Sequence, residues 1–258
     1  MLLLKPFYGG GFSHGADQLY RLTFPLTALF FLLFSIPAFL FIKEHKKNPK
    51  TILAKKSHFS LIKIGCKNVL QTIKDIKKHK KIAWFLVGFY FINDALVTLF
   101  AFFPIYAKTT LSFSLSEITI LLLIVQLIGF PCAIFLGWLS DKKGSKKILL
   151  STIVVWAVII LLSASATSKA LFYFVAVLTG VVIGASQAIA RSWLSKIVPP
   201  KKRCEFFGFN AFASKVSATT GPVLFGLVSS ITANQRIAML ALLPFFVISF
   251  IIFAKIKE

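Results

Sequence analysis

Acids are scarce in this chain: eight Asp and Glu stand against 30 Lys and Arg in 258 residues, a formal net charge of +22. Cysteine is scarcer still. Cys66, Cys132 and Cys204 share no metal-type spacing and cannot all pair, which excludes a disulfide framework and a zinc site. The four histidines, His14, His45, His58 and His79, all fall outside the long apolar runs, so histidine metal sites and Ser–His dyads inside a membrane are excluded. With no His, Cys or acid cluster in one layer of the chain, a membrane enzyme is not expected and no cofactor or metal is implied. GxxxxGK[ST] is absent, so ATP-driven transport by this chain alone is unsupported. A signal peptide is missing too: Leu2–Leu4 is a short stub before Gly9-Gly10-Gly11, and targeting is expected from the first membrane span. What is abundant is oil. Hydrophobic residues make up 57% of the chain, against about 45–50% in soluble domains, and mean hydropathy is +0.82. Such a basic chain would suggest a nucleic-acid partner, but the lysines sit between apolar runs, and none is expected. The lipid bilayer is the expected partner.

A spanning helix needs about 20 mostly apolar residues. Such windows lie at about 22–42, 82–107, 118–140, 148–166, 170–190, 206–230 and 236–254. The expected fold is all-α and membrane-integral, with seven transmembrane helices. An outer segment 1–21 precedes the first span, a basic linker 43–81 follows it, a six-helix bundle fills 82–254, and 255–258 is a tail. With the N-terminus outside, segments 43–81, 141–147, 192–205 and 255–258 carry 23 basic residues, against five on the other side: Lys5, Arg21, Lys108, Lys169 and Arg236. The positive-inside rule then puts the C-terminus in the cytoplasm, and a bacterial inner membrane is the expected location. Within the linker, Ile62, Cys66, Val69, Ile73 and Ile76 form one helical stripe flanked by lysines, either a basic amphipathic helix on the inner leaflet or a solvated linker.

The most informative string is Gly137-Trp-Leu-Ser-Asp141-Lys142-Lys-Gly144-Ser-Lys146-Lys147, between the third and fourth windows. Gly137 permits close helix approach. Asp141 can cap a helix or pair with a cation, and Gly144 permits a tight reversal. An ordinary basic loop supplies the lysines but explains neither the acid nor the two glycines. The string resembles the inter-helix signature of the major facilitator superfamily, which implies a conformational gate at Gly137, Asp141, Lys142, Gly144, Lys146 and Lys147. Further strings follow in order: Phe91-Ile-Asn93-Asp94, Ser114-Leu-Ser-Glu117, Ser186-Gln187-Ala-Ile-Ala-Arg191, Val198-Pro199-Pro200, Glu205-Phe-Phe-Gly208, Phe212-Ala-Ser-Lys215, Gly221-Pro222 and Gln235-Arg236. Over about 22–255 the chain is similar to the branch that contains the autophagy-related vacuolar amino-acid effluxers and their bacterial relatives. That resemblance implies twelve spans in two six-helix halves with a substrate cavity between them. The seven windows then correspond to the second half plus one preceding helix. Either a separate chain supplies the remaining helices, or the product is truncated and does not transport.

An ionisable residue inside a span is a functional candidate, because placing it in lipid costs several kcal/mol. At a rise of about 1.5 Å per residue, Asp94 lies roughly 18 Å above the inner face and Lys215 roughly 13 Å. Gln126 lies roughly 12 Å below the outer face, and so shares the depth of Asp94 in a ~30 Å core. Asp94 and Lys215 are candidates for an ion pair or a polar cavity, and Asp94 for proton coupling. Alternatively, Lys215 snorkels to the headgroups. Asn93, Gln126, Gln187 and Asn210 complete the cavity candidates; Gln126, Gln187 and Asn210 also suit plain interhelical bonding, as Gly180 and Gly184 suit packing. The leading reading is a secondary transporter, or half of one, for a small solute such as an amino acid. A seven-helix retinal protein is disfavoured, since 236–254 has no lysine.

Overall fold

A computed structural model describes residues 14–41 and 79–256, with side chains described from Leu22 and with Lys201 excepted. It divides the chain into two units, 1–63 and 64–258. The amphipathic stripe 62–76 and nearly all of the linker 43–81 lie outside the described residues.

In the first unit, α1 runs His14–Phe41, through Pro25 and Pro37. It begins earlier than its apolar window. From Leu22 to Phe41 its side chains are exposed, apart from half-buried Ser35. Exposed phenylalanine and leucine along five turns make lipid the appropriate solvent for this helix.

The second unit holds α2 (Lys80–Leu111), α3 (Leu115–Lys143), α4 (Ser145–Ser165), α5 (Lys169–Ile197), a 3-10 turn (Pro200–Lys202), α6 (Arg203–Thr232), α7 (Gln235–Leu240) and α8 (Leu243–Lys255). Among the described residues, with α1, seven segments are long and apolar enough to cross a membrane, α7 and α8 together forming the last. Several helices outrun their hydrophobic windows, because polar residues suit their ends. α2 continues through Lys108, a cation at a helix C-terminus. It stops at Ser112, whose φ of 54° is left-handed. Ser114 then starts α3 with a reciprocal capping box: its hydroxyl accepts from the Glu117 N–H, and the Glu117 carboxylate accepts from the Ser114 N–H at 2.7 Å. At the far end α3 keeps Asp141, Lys142 and Lys143, so the expected charged loop shrinks to Gly144, at φ 96°. The last span, expected as one helix, is broken at Ala241–Leu242. Pro244 lacks an N–H, and its ring excludes the carbonyl four residues back.

The core lies where α2, α4, α5 and α8 meet. Phe85, Trp156, Phe172, Phe246 and Phe253 are wholly buried there. Trp156 Nε1 donates to Ser186 Oγ at 2.9 Å, tying α4 to α5. α3 packs mainly on α5. A Cβ at Gly180 would stand 2.9 Å from the Val125 carbonyl oxygen, and one at Gly184 3.2 Å from the Ala133 Cβ, so small residues set that spacing. α6 packs chiefly on α2. The outward faces of α3 and α6 remain exposed, with Leu127, Phe130 and Ile134 on one and Phe212, Val223 and Ile231 on the other.

Candidate functional site

One polar stripe runs along α2 and a matching one along α6. Tyr90, Asn93, Asp94 and Thr98 recur at helical spacing, as do Asn210, Ser214, Ser217 and Gly221. Where the stripes meet, Tyr90 and Thr220 share a hydroxyl–hydroxyl bond of 2.6 Å. Asn93 Nδ2 donates to Ser217 Oγ at 2.8 Å and to the Ser214 carbonyl at 3.1 Å. The Gly221 N–H donates to Asp94 Oδ1 at 2.7 Å. Thr98 donates back to the Asp94 carbonyl within its own helix.

Asp94 is fully buried. Its Oδ1 reaches the α6 backbone because residue 221 is glycine: a Cβ there would run into Thr98 Oγ1 and stand 2.7 Å from Asp94 Oδ1. Pro222 follows at once, so α6 lacks one rung of its backbone ladder at the contact. Asp94 Oδ2 has no hydrogen-bond partner among the described residues, and neither does Asn210 Oδ1, also buried.

The other cavity candidates do not join this seam. Lys215 is exposed on α6 and makes no ion pair with Asp94, so of the alternatives raised for it the ion pair is not seen. At about 100° per residue, Lys215 turns away from the face that carries Ser214 and Ser217. Gln126 is exposed on α3. Gln187 is half-buried and borders a groove of about 410 Å³ with Leu96, Val97, Phe100 and Ile183.

The signature string gathers at one end of the bundle. Asp141 Oδ1 lies 3.3 Å from Lys196 Nζ at the end of α5, and the same ammonium donates to Ser145 Oγ at 2.9 Å. Ser140 Oγ donates to Ser145 Oγ at 3.1 Å, beside the Gly144 reversal. Lys142 Nζ stands 3.9 Å over the Trp138 ring. Lys146 Nζ donates to the Ala254 carbonyl at 3.0 Å and also to that of Ile256, closing the end of α8. Lys147 is exposed. At Gly137 the described residues show no close helix approach: none of them lies within 4 Å of a Cβ placed there. At the opposite end Lys169 Nζ pairs with Glu117 at 2.8 Å, Gln235 Oε1 accepts from Thr109 at 2.6 Å, and Arg236 donates to the Ala166 carbonyl.

Residues 10–258 match the family described as vacuole effluxer Atg22 like. The chain belongs to that family. It is 27% identical over 241 residues to an uncharacterized MFS-type transporter, YxiO, of Bacillus subtilis, covering 92% of this chain and 54% of that protein. Autophagy-related protein 22 of Kluyveromyces lactis is 27% identical over 200 residues, 73% of this chain and 41% of its own length. The class H tetracycline resistance protein of Pasteurella multocida is 37% identical over 100 residues, 39% of this chain and 25% of that protein. The chain thus spans about half the length of the curated relatives it matches. The resemblance drawn from the ordered motifs holds: this Atg22-like chain is an integral membrane protein carrying the second six-helix bundle of a major facilitator fold and one helix before it.

Sequence reasoning singled out Asp94, Asn93 and Asn210 but passed over Tyr90, Ser217, Thr220 and Lys196. Tyr90 and Ser217 were legible only as parts of two stripes at helical spacing, and Thr220 only as a hydroxyl next to one of them. Lys196 carried one signal, a cation at a helix end on the same side as Asp141.

Proposed function

We propose that this Atg22-like chain is the cavity-bearing second half of a secondary transporter, moving a small solute such as an amino acid by alternating access. Its basic end faces the cytoplasm of a bacterial inner membrane. The observation that carries the reading is Asp94: wholly buried, held by one oxygen to the N–H beside the Pro222 break, with the other oxygen unpartnered. A charged carboxylate left half-satisfied in hydrocarbon costs several kcal/mol, and a proton on Oδ2 removes that charge. Loading and losing the proton then changes how firmly Asp94 grips α6 at its weakest rung. That couples proton movement to helix rearrangement without any catalytic residue. The exposed faces of α3 and α6, with Gln126 and Lys215, suit a surface that closes against a first-half bundle around the substrate.

The test is counterflow and pH-gradient-driven uptake of labelled amino acids in proteoliposomes, comparing the full protein with its Asp94→Asn variant. Uptake that loses its dependence on the pH gradient while the variant still inserts is the expected result. Unchanged pH dependence sinks the role of Asp94. Absence of transport from the wild type across a broad solute panel favours the non-transporting alternative.

A further inference from the structure

At the basic end of the bundle, the start of α2 and the end of α8 enclose a pocket of about 420 Å³. Lys80, Lys81 and Lys255 form its rim, all exposed, and among the described residues none that lines it is acidic. Trp84, 56% exposed, stands on one wall, and Ile251 and Ile252 on the other. Three lysines therefore line one slot with exposed apolar side chains, Trp84 and Ile251, beside them. None of the three has an ion pair among the described residues. The walls are held in place. Ser249 Oγ donates to the Gly88 carbonyl at 2.9 Å, Phe85 packs on Phe253 at 5.5 Å, and Lys146 closes the end of α8. α2 also begins here without a side-chain cap, so its N-terminal dipole adds to the positive field.

We propose that this pocket binds an anionic phospholipid, its phosphate against Lys80, Lys81 and Lys255 and an acyl chain along Trp84, Ile251 and Ile252. The chemistry selects a lipid over a soluble anion. A free phosphate would use the lysines but leave the indole and isoleucine walls bare, whereas an acyl chain covers them. Basic pockets between transmembrane helices hold anionic headgroups in this way, and tryptophan at headgroup depth is the accompanying anchor. The site needs only that the bundle lies in a bilayer. It does not depend on transport or on the part played by Asp94.

The experiment is native mass spectrometry of the full chain in detergent, titrated with phosphatidylglycerol or with phosphatidylcholine of the same acyl chains. The expected result is that phosphatidylglycerol is retained at least about tenfold better. The triple variant Lys80→Gln, Lys81→Gln, Lys255→Gln should lose that preference. Removing the same number of charges at the same end, as Lys142→Gln, Lys143→Gln, Lys147→Gln, should keep it. Equal retention of the two lipids, or equal loss in both triple variants, overturns the proposal. So does displacement by water-soluble glycerol 3-phosphate at matched concentration, which would mark a free-anion site. A second measurement needs no variant: phosphatidylglycerol with a photoreactive diazirine on its tail should mark Trp84 or the peptide 251–256 of the wild-type chain. Adducts confined to other helices overturn the proposal as well.

Discussion

Asp94 and Gly221 depend on each other, since the carboxylate occupies the space a side chain at 221 would fill. Gly221→Ala is expected to push the methyl into Thr98 Oγ1 and Asp94 Oδ1, break the 2.7 Å bond and separate α2 from α6. The cost of such overpacking is about 1–3 kcal/mol. Thermal unfolding in detergent reads it directly, and a melting curve identical to the wild type would mean the seam is not close-packed. The seam was only half legible in the sequence, for a physical reason. Asp94, Asn93 and Asn210 stand out because an acid or amide in an apolar run is costly without a partner. Hydroxyls in a helix usually bond their own backbone, as Ser214 and Thr98 do, so Ser217 and Thr220 signal little one at a time. Depth alone does not make a pair: Lys215 lies on the side of α6 turned from the face that carries Ser214 and Ser217, and an ion pair needs the right azimuth as well as the right depth.

At the scale of elements, the ends of α3, α4 and α5 are joined through one ammonium, Lys196, which reaches both Asp141 and Ser145. Both charged side chains of the pair are at least half exposed, so Lys196→Met should change global stability by no more than about 1 kcal/mol. Its expected effect is local: amide hydrogen exchange in residues 140–148 should quicken while the core of α4 holds its protection. Unchanged exchange there would remove Lys196 from any gating role. On the other side, the capping box at Ser114 predicts a different signature. Ser114→Ala removes the hydroxyl that accepts from Glu117 and should cost ~1 kcal/mol of stability. A double-mutant cycle with Glu117→Gln should show the two effects to be less than additive; strict additivity would mean the box does not act as a unit. Element ends were the least legible part of the chain. Hydropathy stops where charge begins, whereas helices continue through charges that suit their termini, as α2 does through Lys108 and α3 through Lys143. The break before α8 is hidden for the converse reason. Its residues, Ala241 and Leu242, are as apolar as the helices they separate, and only Pro244 betrays it.

For the whole molecule, helix number and fold class were legible because about 20 apolar residues in a row have few alternatives to a span. The arrangement of those helices was not, since it turns on small residues such as Gly180 and on polar pairs that hydropathy averages away. One molecular property joins both levels, the separation of charge along the bundle. Lys80, Lys81, Lys142, Lys143, Lys146, Lys147, Lys196 and Lys255 collect at one end, where Lys196 meets Asp141 and Lys146 meets the end of α8. The other end has Lys108, Lys169 and Arg236, with Lys169 neutralised by Glu117. The orientation proposed above, by the positive-inside rule, has the crowded end in the cytoplasm. Cys204 is exposed at the start of α6, on the basic side, and serves as a natural reporter. With Cys66→Ser and Cys132→Ser in place, a membrane-impermeant maleimide should label Cys204 only after the cells are permeabilised. In the same background, Cys204→Ser with Thr167→Cys moves the thiol to the exposed turn between α4 and α5, and labelling of intact cells is expected. Labelling of Cys204 in intact cells, with Thr167→Cys silent, would invert the topology. The lysine-rich end would then face outward, and a proton reaching Asp94 from the cytoplasm would enter by the end now read as external.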